Sequence, residues 1–172
     1  MTLRFDGKLK WDGNFTADDL KHDGFLWINS TQKYMELYPA LVRCARKIMN
    51  DNSTPPDRLP IIAQLDSFML SPRGVVFVHE DPDGNIDAFA LGSVLRGAES
   101  STFELLHMWI DSNSMDHLLR PGLGFLEYTA KEKLGCNKFI FSYICPNPEM
   151  VYENLYRRVG FDVTGYIMEK DL

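Results

Sequence analysis

Three groups of residues in this 172-residue chain have the types and spacing to do chemistry. The first is Leu119-Arg120-Pro121-Gly122-Leu123-Gly124-Phe125-Leu126, which leads into a helical stretch ending at Gly135. Closely placed glycines at the mouth of a helix leave backbone N–H groups bare and convergent, and with the helix dipole they make a site for a diphosphate. The second is the strand-like run Phe103-Glu104-Leu105-Leu106-His107-Met108-Trp109-Ile110. In a regular strand alternate side chains share a face, so Glu104, Leu106, Met108 and Ile110 are expected to point one way and His107 and Trp109 the other. Only one of the two titratable groups then faces a given ligand. The third is Tyr156-Arg157-Arg158-Val159-Gly160-Phe161, which places a phenol near the end of a second helix.

Each group also has a plainer explanation. Gly-Leu-Gly can open a helix that holds no ligand. Glu104 can be a solvated strand residue and His107 a packed one. Tyr152 and Tyr156, four apart like Leu155 and Val159, can extend an apolar helix face. Asp111, Asp116, His107 and His117 have no recognised metal-ligand spacing, so no metal site is expected.

The elements that must position these residues follow from periodicity. A hairpin around Asp6-Gly7 reads as an N-terminal extension within residues 1–22 of one domain spanning 1–172. Residues 24–29 read as a strand. Ser30 can cap a helix carrying Tyr34, Met35, Leu37, Leu41, Val42, Ala45 and Ile48, which Pro39 is expected to break or restart. A second helix carries Ile61, Ile62, Leu65, Phe68 and Met69 beyond the loop at Pro55-Pro56. Residues 74–79 and 86–95 form a hairpin across Pro82-Asp83-Gly84-Asn85, and residues 102–111 form a third strand. After the glycine segment and its helix come a strand over 139–144, a helix opened by Asn147-Pro148, and final strands near Phe161 and Tyr166.

Composition limits the function classes. With 45% hydrophobic and 24% charged residues, the chain supports one globular core. A net charge of −6 argues against nucleic-acid binding by broad phosphate neutralisation, so an anionic ligand would be held locally. Cys44, Cys136 and Cys145 give no disulfide framework or metal spacing, which fits a reducing cytoplasm. No apolar run is long enough to span a membrane, and the N-terminus has no signal-like core. No membrane partner is expected, and a homodimer is compatible with the sequence.

Taken together, the glycine segment and the Tyr156 to Phe161 segment resemble the GNAT superfamily of acyl-CoA-dependent N-acetyltransferases. In that superfamily a Q/R-x-x-G-x-G/A loop grips the coenzyme A pyrophosphate and a Tyr-x-x-x-Gly-Phe segment follows a short strand. The resemblance covers residues 102–168. It departs from the pattern at Leu119, where Gln or Arg is usual, at Pro121, which removes a donor, and in a longer polar connection over residues 112–117. It implies an α/β fold with a mixed central sheet whose N-terminal half is antiparallel and flanked by helices. By the same resemblance, Leu119, Arg120, Gly122, Leu123, Gly124 and Phe125 would hold the pyrophosphate of acetyl-CoA. Met108, Trp109 and Ile110 would pair with the pantetheine arm, and Asn147 would contact the coenzyme.

The implied reaction needs these residue types. A lysine-like amine, with a pKa of about 10.4, must lose a proton before it attacks a thioester, and Glu104 stands where some members keep a base. The oxyanion needs a preorganised N–H, and the departing thiolate accepts a proton from a phenol of similar pKa, here Tyr156. The acceptor would be a small-molecule or protein amine. The alternative is a non-catalytic acyl-CoA-binding or interaction module with the same fold, favoured by Leu119 and Pro121.

Overall fold

The computed structural model describes residues 24–141. The chain runs through β1 (Phe25–Ile28), α1 (Thr31–Met49), α2 (Pro60–Leu70), β2 (Gly74–Glu80), β3 (Ile86–Arg96), β4 (Ser101–Ile110), α3 (Met115–Tyr128) and β5 (Lys138–Phe141). The five strands make one sheet in chain order, antiparallel from β1 to β4 and parallel between β4 and β5. This is the mixed sheet that the family resemblance implies. The N-terminal hairpin, the elements expected beyond residue 141, and with them Cys145, Asn147 and Tyr156, lie outside the described residues.

Local chemistry sets the element boundaries. Ser30 adopts an extended conformation (φ −149°) and its hydroxyl accepts from the Lys33 N–H at 3.2 Å, capping α1. Asn50 closes the helix in the left-handed region with φ 50°. Pro39 does not interrupt α1, contrary to the expected break. Tyr34, Leu37, Leu41 and Ala45 are buried on both sides of it, and this continuous apolar stripe outweighs the one hydrogen bond that proline removes. In the β2–β3 turn the Asp81 carboxylate accepts from the Asp83 and Asn85 N–H groups at 2.9 and 2.8 Å, and Gly84 supplies a positive φ of 78°.

Helices cover both faces of the sheet. On one face α1 and α2 bring Leu41, Ala45, Ile62 and Leu65 against Val76, Val78, Phe89 and Leu91. On the other, Phe125 of α3 stacks on Phe25 at 5.5 Å and meets Phe77 edge-on at 5.7 Å. Each fully buried Leu, Ile or Phe side chain contributes about 1.5–3 kcal/mol of transfer free energy, which fixes the strand register beneath the helices.

Candidate functional site

β4 is the strand on which the predicted chemistry converges, and its two edges differ. On one side β3 pairs with it from Ser101 to Ile110. On the other, β5 pairs with Thr102, Phe103, Glu104 and Leu105 only. Among the described residues, the β5 side of residues 106–110 therefore carries no strand. Peptide groups on such an edge can hydrogen-bond an extended ligand as a further strand would.

The register of β4 against β3 changes at one point. Leu91 pairs with His107 and Gly92 with Leu105, so Leu106 is inserted without a β3 partner. A bulge of this kind bends the strand and re-aims the side chains that follow it. The consequence corrects the expected alternation. Phe103, Leu105, Met108 and Ile110 share the face of Gly92, Ala90 and Ala88, whereas Glu104, His107 and Trp109 share the face of Ser93, Leu91 and Phe89. Gly92 makes the close approach feasible, since a Cβ there would fall 2.4 Å from the Phe103 ring.

The α1/α2 face of β4 thus presents two titratable groups. Glu104 is half-buried and forms no ion pair among the described residues. His107 is exposed, and its Nε2 lies 3.2 Å from Nε2 of Gln64 on α2. This contact holds the ring in place on that face. Trp109 stacks on Phe89 at 5.9 Å with an interplanar angle of 25°, holding this end of the strand in place. Leu106, the bulged residue, is exposed.

The glycine segment differs from its sequence reading. Leu119, Arg120, Pro121, Gly122, Leu123, Gly124 and Phe125 lie inside α3, which begins at Met115. Helix-interior amides point at carbonyls one turn back, so residues 122–125 do not form a cradle of bare N–H groups. The cause is the buried stripe Leu118, Leu119, Leu123, Phe125 and Leu126, which sets a helical period through the proline and both glycines. Asp111 starts the helix early by accepting from the Asn113 N–H at 3.0 Å, and Leu118 N–H already bonds Ser114 O at 2.9 Å. Gly122 faces the Phe25 ring, which a Cβ would approach to 3.4 Å. Arg120 is half-buried on this helix, one turn beyond Asp116.

A polar network at the start of α3 was not foreseen from sequence. Ser114, at the N-cap, does not cap its own helix; its hydroxyl donates to Asp87 Oδ2 at 2.9 Å. Asp87 Oδ1 lies 2.5 Å from His79 Nδ1, and the Asp87 carbonyl accepts the Asp111 N–H at 2.8 Å. Asp111 is buried, pairs with Lys47, and its carboxyl is held below the usual carboxylate range by the Lys47 ammonium and then by the Asn113 N–H. The sequence signal was a single acid, Asp87, in an otherwise apolar strand. On α1, Tyr34 donates to Asp66 at 2.7 Å, and burial pushes the Cys44 thiol up to about 12, which makes it unreactive at neutral pH.

No protein-family model and no curated protein sequence matches the chain. Solved structures do. An aminoglycoside acetyltransferase from an uncultured soil metagenomic sample aligns with a TM-score of 0.61 at 12% identity, covering 87% of this chain and 95% of that one. Glucosamine-6-phosphate N-acetyltransferase from Arabidopsis thaliana aligns with a TM-score of 0.58 at 15% identity, covering 86% and 97%. Aminoglycoside N-acetyltransferase AAC(6')-Iy in complex with CoA aligns at 0.57 and 14% identity, covering 86% and 98%. At these identities the likeness establishes the fold, which is that of the GNAT acetyltransferases.

Proposed function

We propose that this chain is an acyl-CoA-dependent N-acyltransferase that moves an acetyl group directly from acetyl-CoA to an amine. The observation that carries this reading is that, among the described residues, the β5 side of residues 106–110 carries no strand, with Glu104 and His107 on one face beside it. The shared fold, and the coenzyme held by one of the proteins it resembles, support the same assignment.

In this reading the peptide groups of Met108, Trp109 and Ile110 pair with the pantetheine arm, and one N–H of that edge polarises the thioester oxygen. Glu104 takes the proton from the attacking amine, with His107 on the same face as a relay. The new C–N bond forms as the C–S bond breaks, and Tyr156 protonates the departing thiolate. The diphosphate lies at the first turn of α3, whose cap hydroxyl is turned away to Asp87, with Arg120 one turn further on. Leu119, Gly122, Leu123, Gly124 and Phe125 seat that helix on the sheet behind it. Asn147 completes the coenzyme contacts.

The test is thiol release from acetyl-CoA by the full chain across a panel of amines, with Glu104→Gln as the paired control. Thiol release that depends on both amine and Glu104 is the expected result. The helical state of residues 122–125 favours one second reading, a protein-interaction module that keeps the fold without holding the coenzyme. That reading predicts no saturable coenzyme binding and no thioester loss for any amine.

A further inference from the structure

The last two turns of α1 carry Arg43, Arg46 and Lys47 at positions i, i+3 and i+4, hence on one side of the helix. With Asn50 and Asn52 they line an open cavity of about 440 Å³. Every lining residue offers donors and three are cationic, in a chain whose net charge is −6. Among the described residues neither arginine meets a carboxylate. Arg43 Nη2 donates to Gly84 O at 3.2 Å and Arg46 Nη2 to Thr54 O at 3.5 Å, both neutral acceptors. Arg46 Nε is buried and has no hydrogen-bond partner among the described residues. A buried guanidinium N–H without an acceptor is costly, and two neighbouring guanidinium charges repel until a counter-charge arrives.

Two ordinary explanations fail on the same contacts. Cations near a helix C-terminus often serve its free carbonyls. Here the carbonyls of Arg46 and Lys47 already accept from the Asp51 and Asn50 N–H groups, and both guanidinium groups reach away to other segments. A local carboxylate could also neutralise the cluster. The nearby acids are committed elsewhere: Asp51 accepts from the N–H and hydroxyl groups of Ser53 and Thr54, and Asp111 binds Lys47 and the Asn113 N–H. Of these two acids, only Asp111 meets one of the three cations.

We infer that this cleft is a binding site for a phosphate ester of a small molecule, held by the forks of Arg43 and Arg46, the Lys47 ammonium and the amides of Asn50 and Asn52. Arginine forks fit phosphate oxygens in pairs, and the cavity has room for the phosphate together with part of the molecule that bears it. The Lys47–Asp111 pair ties the cleft to the connection between β4 and α3, so it opens at the same end of the sheet as the start of α3. The site does not depend on the acyl-transfer reading.

Calorimetric titration of the full chain with inorganic pyrophosphate at low ionic strength tests it. The Arg43→Gln/Arg46→Gln double variant is expected to bind at least about tenfold more weakly than the parent, while Arg96→Gln, at the exposed end of β3, retains most of the affinity. Equal affinity of parent and double variant, or an equal loss in Arg96→Gln, overturns the proposal. If the double variant does not fold, Arg43→Gln alone is read, since among the described residues its side chain bonds only a turn carbonyl. Coenzyme A and dephospho-coenzyme A then separate the two sources of the phosphate. Weaker binding of coenzyme A alone in the double variant assigns it to the 3′-phosphate of the donor. Unchanged binding of both, with pyrophosphate affinity lost, assigns it to a phosphorylated acceptor.

Discussion

Glu104 and His107 lie on the same face of β4 because Leu106 stands between them without a partner on β3. A regular strand would have put them on opposite faces. The bulge gives the α1/α2 side of the strand a carboxylate and an imidazole together. It does so beside the stretch whose other edge has no strand among the described residues. Gln64, with its Nε2 at 3.2 Å from the His107 Nε2, holds the imidazole in place on that face.

If Glu104 collects the amine proton, Glu104→Gln lowers kcat by roughly 10²-fold or more at neutral pH, and the basic limb of the profile steepens as the free amine becomes the only reactive form. His107→Gln acts as a relay loss and costs less. Steady-state kinetics across pH, with both variants checked for coenzyme affinity, reads the difference. Equal activity of Glu104→Gln and parent removes the base assignment.

Tyr156→Phe is expected to lower kcat by about tenfold or more while leaving the affinity for acetyl-CoA unchanged, because the phenol acts only on the departing sulfur. Pre-equilibrium binding and single-turnover rates separate the two quantities. An unchanged single-turnover rate takes the proton donor away from Tyr156.

Gly92→Ala is expected to destabilise the chain by about 1–3 kcal/mol, since the added carbon meets the Phe103 ring within the packed face of the sheet. Urea unfolding gives the value. The same substitution should disturb the bulge one residue away, so activity falls further than stability alone accounts for.

Asp87→Ala removes the acceptor shared by His79 and Ser114 and is expected to cost about 1–3 kcal/mol, with the start of α3 becoming less protected. Hydrogen exchange at residues 114–118 reports the local part. Asp87→Asn keeps an oxygen acceptor and recovers a portion of the loss.

The Asp111 carboxyl is depressed by Lys47, so the stability it contributes is present above its unfolded pKa and is lost as pH falls through the lower folded value. Lys47→Met removes the largest cause of that depression. The acid-unfolding midpoint of the variant is therefore expected to move to higher pH, with little change near neutrality beyond the loss of the pair itself. A midpoint identical to that of the parent contradicts the role given to Lys47.

How much of this was legible in the sequence depended on whether the deciding contacts were local. Ser30 as a cap, the β2–β3 turn through Gly84, and the apolar stripe of α1 apart from the exposed Met35 act within a few residues and were read correctly. Pro39 and the glycine segment were misread because local punctuation was weighed above the long apolar stripes that run through them. The bulge at Leu106 is a property of two strands, and one strand's alternation cannot reveal it. For the same reason the Asp87, His79 and Ser114 contacts, which join three separate elements, left no mark beyond one acid in an apolar run.

The measurement that bears most directly on the account is amide hydrogen exchange of the full chain with and without saturating acetyl-CoA. The account predicts saturable binding with added protection at residues 106–110 of β4 and at the first turn of α3. Absence of binding, or binding that leaves the β4 edge unprotected, contradicts it.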